Sequence, residues 1–552
     1  MMPFPFRRLA LLAVLGLPLA GFAQSQPATK TEAPAGPTVT EAAERQWYLR
    51  DPQLDRVPGI GATRAYNELL KNKIPTPVIV AVIDSGIDTA HVDLKPVLWV
   101  NRGEIAGNGL DDDKNGYIDD VHGWNFLGGI DGRNIGPETL EMTRIVAAGR
   151  KRFANQNPRK VKRRDRADFD LYQRAEKAYN ARLQEANSDG GQLESMVPKL
   201  TMMFDLLKQD LRVERLDTAT LRTAKFSDEK LQQAGDGMLE MMRSVGAADD
   251  EGTLAVLSQE LERQAKTVDK SLALDFDPRA DIVKDDPNDL TQRYYGNHDL
   301  YGTDPLHGTH VAGIIAAARD NNIGVQGIAG SPVQIMAIRA VPDGDERDKD
   351  IANAIRYAVD NGAQIINMSF GKEFSPQRPA VEEAYKYAAK KNVLLVHAAG
   401  NEDDDLDVTP HYPAAQYIDG SIVPNLLTVG ASGPEDNGQL VASFSNFSQK
   451  SVDVFAPGVN IYNTLPGSTY GNESGTSMAA PVTAGVAAVL KSYFPGLSAA
   501  DLKRIIMQSA QVHHTQVKVP GSSLQVDFSK LSKSGGVVDL YEAVKLAQAE
   551  GK

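Results

Sequence analysis

Residues 78–83 read Val-Ile-Val-Ala-Val-Ile, and this stretch decides the fold class. A run of apolar, mostly β-branched residues without polar alternation is typical of a strand buried on both faces of a parallel sheet. Similar runs recur at 333–341, 363–368, 393–398, 426–429 and 452–455. Stretches with helical spacing separate most of them, at 311–318, 350–361, 380–391, 481–493 and 499–509. Alternating strands and helices predict an α/β fold, a mostly parallel sheet covered by helices on both faces.

One long segment, residues 129–294, interrupts this alternation. It has no apolar strand-like run, but its apolar residues recur at helical spacing: Leu200, Phe204, Leu207, Leu211, Leu231, Met238, Leu239, Met242, Leu254, Leu257 and Leu261. This spacing predicts an inserted subdomain of amphipathic α-helices. Within it, residues 150–166 hold nine Lys or Arg and one Asp, which we interpret as a solvated face or flexible loop, with an anion-docking patch as the alternative.

The first 46 residues look different from the rest. Residues 1–23 contain Arg7 and Arg8, an apolar run at 9–19, and small residues before Gln24, the pattern of a signal peptide. Residues 24–46 are rich in Pro, Ala and Thr and are predicted to be a flexible leader, followed by one folded domain over 47–552. No later segment approaches 18 apolar residues, so we expect an exported protein, periplasmic or extracellular, with no integral membrane segment.

The composition removes several function classes. The chain has 552 residues and no cysteine, which excludes disulfides, thiol nucleophiles and cysteine-ligated metal sites. It carries 59 Lys and Arg against 72 Asp and Glu, a formal net charge of −13. Because phosphate binding relies on Lys and Arg, this balance argues against nucleic acid as a partner.

Three short blocks place polar residues where strands end or helices begin. Asp84 ends the run at 78–83, His307 opens the stretch His-Gly-Thr-His, and Ser477 lies in Gly-Thr-Ser-Met-Ala-Ala-Pro. Each alone is ordinary cap or turn chemistry. Together they supply the nucleophile, the base and the carboxylate that serine catalysis requires. A fourth block ends in Asn401, whose side-chain amide could donate a hydrogen bond to an oxyanion, with the main-chain N–H of Ser477 as the second donor.

The blocks around Asp84, His307, Asn401 and Ser477 resemble those of the subtilisin family of serine peptidases, also called subtilases or the S8 family. The chain order Asp, His, Ser is the order known for subtilisin itself. The resemblance covers about 47–128 and 295–549 and implies a three-layer α/β/α fold, so that 47–552 would be a peptidase domain interrupted by 129–294.

The resemblance also implies a function, that of a secreted serine endopeptidase. Peptide bonds would be hydrolysed through an acyl-enzyme at Ser477, with His307 as general base and acid, Asp84 orienting it and Asn401 in the oxyanion hole. Its partners would be polypeptide substrates bound as extended strands, and we expect a monomer. The family's substrate-binding segments correspond to Ser369, Phe370 and Gly371 on one side, and to Ala398, Ala399 and Gly400 on the other.

Two features depart from the family pattern. The interval from Asp84 to His307 is 223 residues because the helical segment intervenes, and the leader is far too short for a folded propeptide. We therefore hypothesise that the insertion chaperones, covers or restricts the cleft.

Two alternatives to the endopeptidase remain open. A catalytically silent or latent binding module would normally lack a triad member. An esterase elbow of the form Gly-x-Ser-x-Gly would need Gly at 479, where this chain has Ala.

Residues 111–120 are a candidate structural calcium site. The spacing resembles the first half of an EF-hand loop, although His122 stands where the closing Glu is expected, and an Asx-turn is the alternative. The predicted ligands are Asp111, Asp113, Asn115, the carbonyl of Tyr117, Asp119 and Asp120. Resemblance to the family adds Asp93 with the loop 320–322 as a second calcium site. No organic cofactor is expected.

Overall fold

The computed structural model describes residues 41–42, 45–154, 156–245, 247–319 and 321–551. The predicted signal peptide lies outside the described residues, as does most of the predicted leader. The described end of the leader is folded: Gln46 is 1% exposed, its Nε2 donates to the Gln326 carbonyl at 2.8 Å, and its Oε1 accepts from Gln326 N at 3.0 Å. The ordered chain therefore begins before residue 47.

Backbone proximity divides the described chain into two compact units, residues 41–141 with 277–551 and residues Met142–Phe276. The second unit covers fewer residues than the predicted insertion of 129–294. Residues on both flanks belong to the first unit because they bond to it: Glu138 N donates to the Asp343 carbonyl at 2.9 Å, and Arg279 pairs with Asp350 at 2.7 Å.

The described strands of the first unit are β1 (Val78–Asp84), β2 (Gly123–Asn125), β3 (Val333–Arg339), β4 (Ile365–Met368), β5 (Leu394–Ala398), β6 (Leu426–Ser432), β7 (Val454–Pro457), β8 (Ile461–Leu465), β9 (Thr469–Glu473), β10 (Gln511–Val512), β11 (Gln516–Lys518), β12 (Gln525–Asp527) and β13 (Gly536–Val537). Nine of them form one sheet, in the order β10-β13-β7-β6-β5-β4-β1-β3-β2. All neighbouring strands of this sheet run parallel except β10 and β13, which confirms the mostly parallel sheet. β8 pairs with β9 and β11 with β12 as separate antiparallel ribbons.

β1 shows why an unbroken apolar run forms the centre of this sheet. Val80 and Val82 pack into one hydrophobic cluster, whereas Ala81 and Ile83 pack into a second cluster on the other face. Successive side chains of a strand point to opposite faces, so both faces must be apolar.

Helices cover the two faces of the sheet, which gives the predicted three layers. On the side of Val80 lie Leu306–Ala316, Thr476–Tyr493, Ala499–Gln508 and Leu540–Ala549. On the side of Ile83 lie Asp348–Asp360 and Arg378–Lys390. Shorter helical segments of this unit are Trp47–Leu49, Ala62–Arg64 continued by a π-helical turn at Ala65–Leu70, Lys95–Val97, Pro278–Ile282 and Phe528–Lys530.

The second unit is helical, as predicted. Its segments are Glu141–Phe153 (from Met142 onward), Pro158–Lys160, Arg163–Asp165, Arg166–Leu211, Thr218–Thr223, Glu229–Ser244, Asp250–Lys266 and the π-helical Thr267–Ser271. All the residues of its predicted apolar stripes lie in or against one hydrophobic cluster, with Phe204, Leu207 and Met242 fully buried. Burial of one apolar stripe per helix holds such a bundle together.

The basic run at 150–166 is partly structural. Arg152 pairs with Asp165 at 2.6 Å and with Asp168 at 2.7 Å. Val161 is buried in a small cluster with Phe153, Phe169 and Tyr172. Other cations of the run point to solvent, namely Lys151, Arg159, Lys160, Lys162 and Arg163. Across the described part of the chain, no helix combines the length and the apolar character needed to cross a membrane.

Candidate active site

The carboxyl ends of the central strands bring Asp84 and His307 together. Asp84 is the last residue of β1, and His307 is the second residue of the helix Leu306–Ala316. His307 Nδ1 lies 2.7 Å from Asp84 Oδ1, although 223 residues separate them in sequence. Gly308 permits this approach, because a Cβ there would lie 2.2 Å from the carbonyl oxygen of Gly86.

The bond between Asp84 and His307 determines which imidazole nitrogen is basic. Asp84 is 2% exposed, and its Oδ1 also accepts from Ser85 N at 2.8 Å. Because an ionised carboxylate only accepts hydrogen bonds, the Nδ1 of His307 carries the proton and Nε2 keeps its lone pair. The imidazole is about one quarter exposed. The arrangement is therefore that of a general base held in one tautomer.

The second histidine of the block plays a different part. His310 is fully buried, and its Nε2 lies 3.3 Å from the Gly471 carbonyl. Burial lowers the pKa of His310 to about 3, so it stays neutral and structural.

Ser477 is the second residue of the helix Thr476–Tyr493 and is 7% exposed. Its hydroxyl donates to the Ser369 carbonyl at 3.2 Å, while the Ser369 hydroxyl donates to the Ser477 carbonyl at 2.8 Å. Among the described residues, Ser477 Oγ is therefore bonded to Ser369 and not to His307. Catalytic hydrogen bonds are often long or poorly aligned without substrate and tighten when it binds.

Asn401 is oriented so that its amide N–H groups make no hydrogen bond to the residues that the structure describes. Its Oδ1 accepts from the N–H and the hydroxyl of Thr476, each at 2.9 Å. A Cβ built on Gly475 would lie 3.6 Å from both Asn401 Nδ2 and Ser477 N. Two N–H donors thus border the same space, which the missing side chain of Gly475 leaves open. This is the arrangement that an oxyanion needs.

Thr476 and Asn446 hold this side of the site, and sequence reasoning assigned neither a role in it. The Thr476 hydroxyl also accepts from Gly400 N at 3.1 Å. Asn446 is fully buried, donates to the Ala399 carbonyl at 2.9 Å, and its N–H donates to the Gly400 carbonyl at 3.0 Å. Thr476 lies in the Gly-Thr-Ser block and Asn446 in the stretch Phe-Ser-Asn, but neither pattern shows which partner the side chain bonds.

The predicted substrate segments follow neighbouring strands, β4 and β5, but not all their residues can contact a substrate. The side chain of Phe370 is 3% exposed and lies in the core, and its carbonyl accepts from His397 Nε2 at 2.9 Å. Ala399 uses its N–H on Val429 and its carbonyl on Asn446. These two residues are therefore corrected to core positions, since both their side chains and these main-chain groups are already used.

The remaining members of the two segments differ in exposure. Ser369 and Ala398 are 4% exposed, and the Ser369 carbonyl accepts from Ser477 as described above. Gly371 and Gly400 are half-buried. The main chain of Gly371 makes no hydrogen bond to the rest of the described chain, so its N–H and C=O are available.

The loop at 111–120 brings together only part of the predicted ligand set. Carboxylate oxygens of Glu104, Asp111 and Asp113 lie within 4.8 Å of one another. Asp119 turns away, because its two oxygens accept from the N–H groups of Gly107, Asn108 and Gly109. Glu104 lies seven residues before the loop, where the EF-hand spacing gives no reason to look.

Asp120 lies near Asp113, since both carboxylates accept from Asn101 Nδ2 and from Asn115 Nδ2. It is fully buried and accepts from Asn101 Nδ2 at 2.7 Å, from the Tyr357 hydroxyl at 2.6 Å and from Asn115 Nδ2 at 3.1 Å. Burial raises its pKa to about 6. Protein donors bind Asp119 and Asp120 and fold the loop, and their part in binding calcium stays a prediction.

The second predicted calcium site centres on Asp93. Its carboxylate is fully buried and accepts from Asn321 Nδ2 at 2.5 Å, Val325 N at 3.1 Å and the Tyr470 hydroxyl at 2.9 Å. Asp320 lies outside the described residues. Protein donors satisfy this carboxylate, and calcium there stays a prediction.

Comparison with known proteins agrees with this geometry. The family model described as the subtilase family matches residues 76–526, more than half of the chain. Thermitase from Thermoactinomyces vulgaris is 36% identical over 270 residues, which are 48% of this chain and 85% of thermitase. A thermophilic serine proteinase from Bacillus sp. (strain AK1) is 38% identical over 232 residues, and the match spans 52% of that protein's length.

Subtilisin BL from Lederbergia lenta is 38% identical over 206 residues, which are 37% of this chain and 70% of that protein. Among solved structures, a protease from Pseudoalteromonas arctica PAMC 21717 aligns over 91% of this chain and 97% of its own, with 18% identity and a TM-score of 0.45. On the family match and the identity to thermitase, the chain belongs to the subtilase family of serine peptidases.

Proposed function

We propose that this protein is an exported serine endopeptidase that hydrolyses peptide bonds through an acyl-enzyme at Ser477. The observation that carries the proposal is the 2.7 Å bond between Asp84 and His307, which leaves a basic imidazole nitrogen at the sheet edge where Ser477 begins a helix. Serine catalysis requires a base held in this way next to the nucleophile.

The chemistry assigns one role to each group. His307 Nε2 takes the proton of the Ser477 hydroxyl as Oγ attacks the substrate carbonyl carbon. Asn401 Nδ2 and Ser477 N donate hydrogen bonds to the oxygen that becomes negative. His307 then gives its proton to the leaving amine, and water, activated in the same way, releases the acid and restores Ser477. Asp84 stabilises the imidazolium throughout.

Substrate binding follows from the free main chain of Gly371. An extended peptide can pair with this edge as an added strand, so that main-chain hydrogen bonds give affinity for many sequences. Gly400 lies on the opposite side, next to Asn401. The substrates would accordingly be polypeptides in extended conformation.

A fluorophosphonate probe tests this function. We expect it to label the wild type and the neighbouring control Ser474→Ala, but not Ser477→Ala, and we expect casein cleavage to follow the labelling. Subtilisin itself loses about 10⁶ in kcat when its serine is removed. Labelling without cleavage of casein would indicate an esterase instead. Absence of labelling would indicate a silent or latent module, in which Ser477 stays bonded to Ser369.

We also propose that Glu104, Asp111 and Asp113 bind calcium as a structural ion. Three carboxylates with an EF-hand-like loop offer the hard oxygen ligands that calcium prefers, and an ion that binds only the folded state stabilises it. Calcium should raise the midpoint of thermal unfolding of the wild type, and Glu104→Gln should reduce this rise, with Glu214→Gln as the control. An equal response of all three proteins would leave only the Asx-turn interpretation.

Export is the third part of the proposal and rests on residues 1–23. The N-terminal sequence of the mature protein should then begin at or after Gln24. The same measurement shows whether residues 142–276 are retained, which the hypothesis of a chaperoning or covering insertion requires.

A further inference from the structure

A buried lysine directly follows the segment at 369–371. The side chain of Lys372 is 2% exposed, and its ammonium lies 2.9 Å from Glu141 Oε2, 2.7 Å from the Glu346 carbonyl and 2.8 Å from Asp348 Oδ1. An ammonium has three hydrogens to donate, and these three acceptors are enough to take them.

The main chain of Lys372 is fixed as firmly as its side chain. Its N–H donates to the Tyr412 carbonyl and its carbonyl accepts from the Tyr412 N–H, both at 2.9 Å. On the other side of Gly371, the side chain of Phe370 is held in the core and its carbonyl is bonded to His397. The N–H and C=O of Gly371, which make no hydrogen bond to the rest of the described chain, therefore lie between two residues that are held in place.

The partners of the ammonium lie on different parts of the first unit. Glu346 and Asp348 lie between β3 and β4, and the Asp348 carboxylate also accepts from the Ser375 hydroxyl at 3.0 Å and from Gln377 N at 2.8 Å. Glu141 is the last residue of the first unit before the chain continues into Met142–Phe276. Its N–H donates to Asp345 Oδ2 at 2.8 Å.

A buried ion pair of this kind is an inefficient way to gain stability. Removing the water around an ammonium and two carboxylates costs nearly as much as their attraction returns, and apolar residues of similar size often stabilise equally well. The ammonium instead fixes geometry. Its three donors, at fixed angles, hold Glu141, the segment with Glu346 and Asp348, and Lys372 itself in one arrangement.

We propose that Lys372 is a positioning residue for peptide substrates: its ammonium, held by Glu141, Glu346 and Asp348, sets the place of the Gly371 main chain to which an extended substrate pairs. Through Glu141, substrate binding then depends on the point where the chain leaves for the helical unit. This inference rests on the proposed endopeptidase function and assigns that site a positioning group outside the triad.

The test compares a substrate that needs the Gly371 edge with one that does not. Lys372→Met should lower kcat/KM for casein about 10- to 100-fold, mainly through KM, while hydrolysis of p-nitrophenyl acetate, which has no extended chain, falls less than about threefold. Glu141→Gln keeps the shape but removes one charge and should change casein cleavage in the same direction by a smaller factor. Equal losses for both substrates would overturn the inference.

Lys349→Met is the matched control, since Lys349 is also a buried ammonium, 1% exposed, but is bound by Asp285 at 2.7 Å and by the Asp286 carbonyl at 2.6 Å. It should destabilise the protein without changing the ratio of casein to ester cleavage. A changed ratio in Lys349→Met would show that any loss of a buried charge has this effect, and would also overturn the inference.

A binding measurement separates this inference from the proposed chemistry. In a Ser477→Ala background, fluorescein-labelled casein should bind about tenfold more weakly when Lys372→Met or, to a smaller extent, Glu141→Gln is added. Unchanged binding contradicts the positioning role even if the wild type is an active peptidase. Weakened binding together with an inactive wild type supports the positioning role and contradicts the endopeptidase.

Discussion

The two units of this protein differ in whether they bury cations. The first unit buries Arg279, Arg339, Lys349 and Lys372, which are at most 5% exposed. In the described part of residues 142–276, no Lys or Arg is buried. The cations of its ion pairs keep part of their side chain in solvent, as in Arg182 with Glu185 and Arg263 with Glu260.

The difference shows which unit depends on particular polar contacts to position its loops. Arg339 ends β3 beside Asp84, donates to the Ser85 carbonyl at 2.7 Å and to Asn125 Oδ1 at 3.1 Å, and so holds the loop that follows Asp84. Burial lowers the pKa of this guanidinium to about 10, so it remains charged. The helical unit depends instead on apolar stripes, which fix helices but do not require particular polar contacts.

The largest effect on stability is expected from Arg279→Met. This side chain is 1% exposed and pairs with Asp285 at 2.6 Å and with Asp350 at 2.7 Å. Its loss leaves the buried Asp350 without this cation and Asp285 with Lys349 alone, and should cost about 3–5 kcal/mol. The exposed Arg152, with two carboxylate partners in the helical unit, is the control, and Arg152→Gln should cost about 0–1 kcal/mol. Urea denaturation measures both. Similar losses of unfolding free energy in the two variants would show that the buried and the exposed cation contribute equally to stability.

Asn401→Ala should separate function from stability within the first unit. We expect kcat for casein to fall about 10²- to 10³-fold, because one donor to the oxyanion is lost, while the unfolding midpoint changes little. Asn180→Ala, at an exposed position of the helix Arg166–Leu211, should change neither quantity. A loss of kcat below about threefold in Asn401→Ala would remove Asn401 from the oxyanion hole.

The smallest expected effect is a change in how the free energy of unfolding depends on pH. Burial raises the pKa of Glu346 from 4.5 to about 8, opposed by the charge of Lys372. The folded protein therefore keeps this proton up to about pH 8, whereas the unfolded chain releases it near pH 4.5. The group contributes stability at low pH that is lost as the pH rises between these values.

Between pH 5 and 8, the free energy of unfolding should fall less in Glu346→Gln than in the wild type, by on the order of 2 kcal/mol. The free energy of unfolding, measured by urea denaturation across this range, is the readout. Glu240→Gln, at an exposed position of the helical unit, should leave the slope unchanged. A steeper fall in Glu346→Gln than in the wild type would contradict a raised pKa for this carboxyl group.

Local patterns were enough for much of this protein. The run at 78–83 predicted a doubly buried strand because six consecutive apolar, mostly β-branched residues are typical of a strand in a sheet covered on both faces. The spacing of Leu200, Phe204 and Leu207 predicted a helix for the same kind of reason, since one stripe per helix is buried. The polar ends of these elements identified Asp84 and His307, which the fold joins by a hydrogen bond.

Other features could only be decided by the tertiary structure. The acids at 111–120 look equivalent in sequence, yet the main-chain N–H groups of 107–109 turn Asp119 away from Glu104 and Asp113. Phe370 looks like a pocket wall but is a core residue, because the sheet face beneath it must be filled.

By itself, then, the sequence determined the layers, the helical insertion and the residues that could perform catalysis, because hydrophobic periodicity and motif chemistry are local properties. Only the tertiary structure decided where the helical unit begins, which acids face one another, and that Lys372 joins Glu141 to Asp348. Those outcomes depend on hydrogen bonds and ion pairs between residues far apart in the chain, and no local pattern records which partner a buried polar group will find.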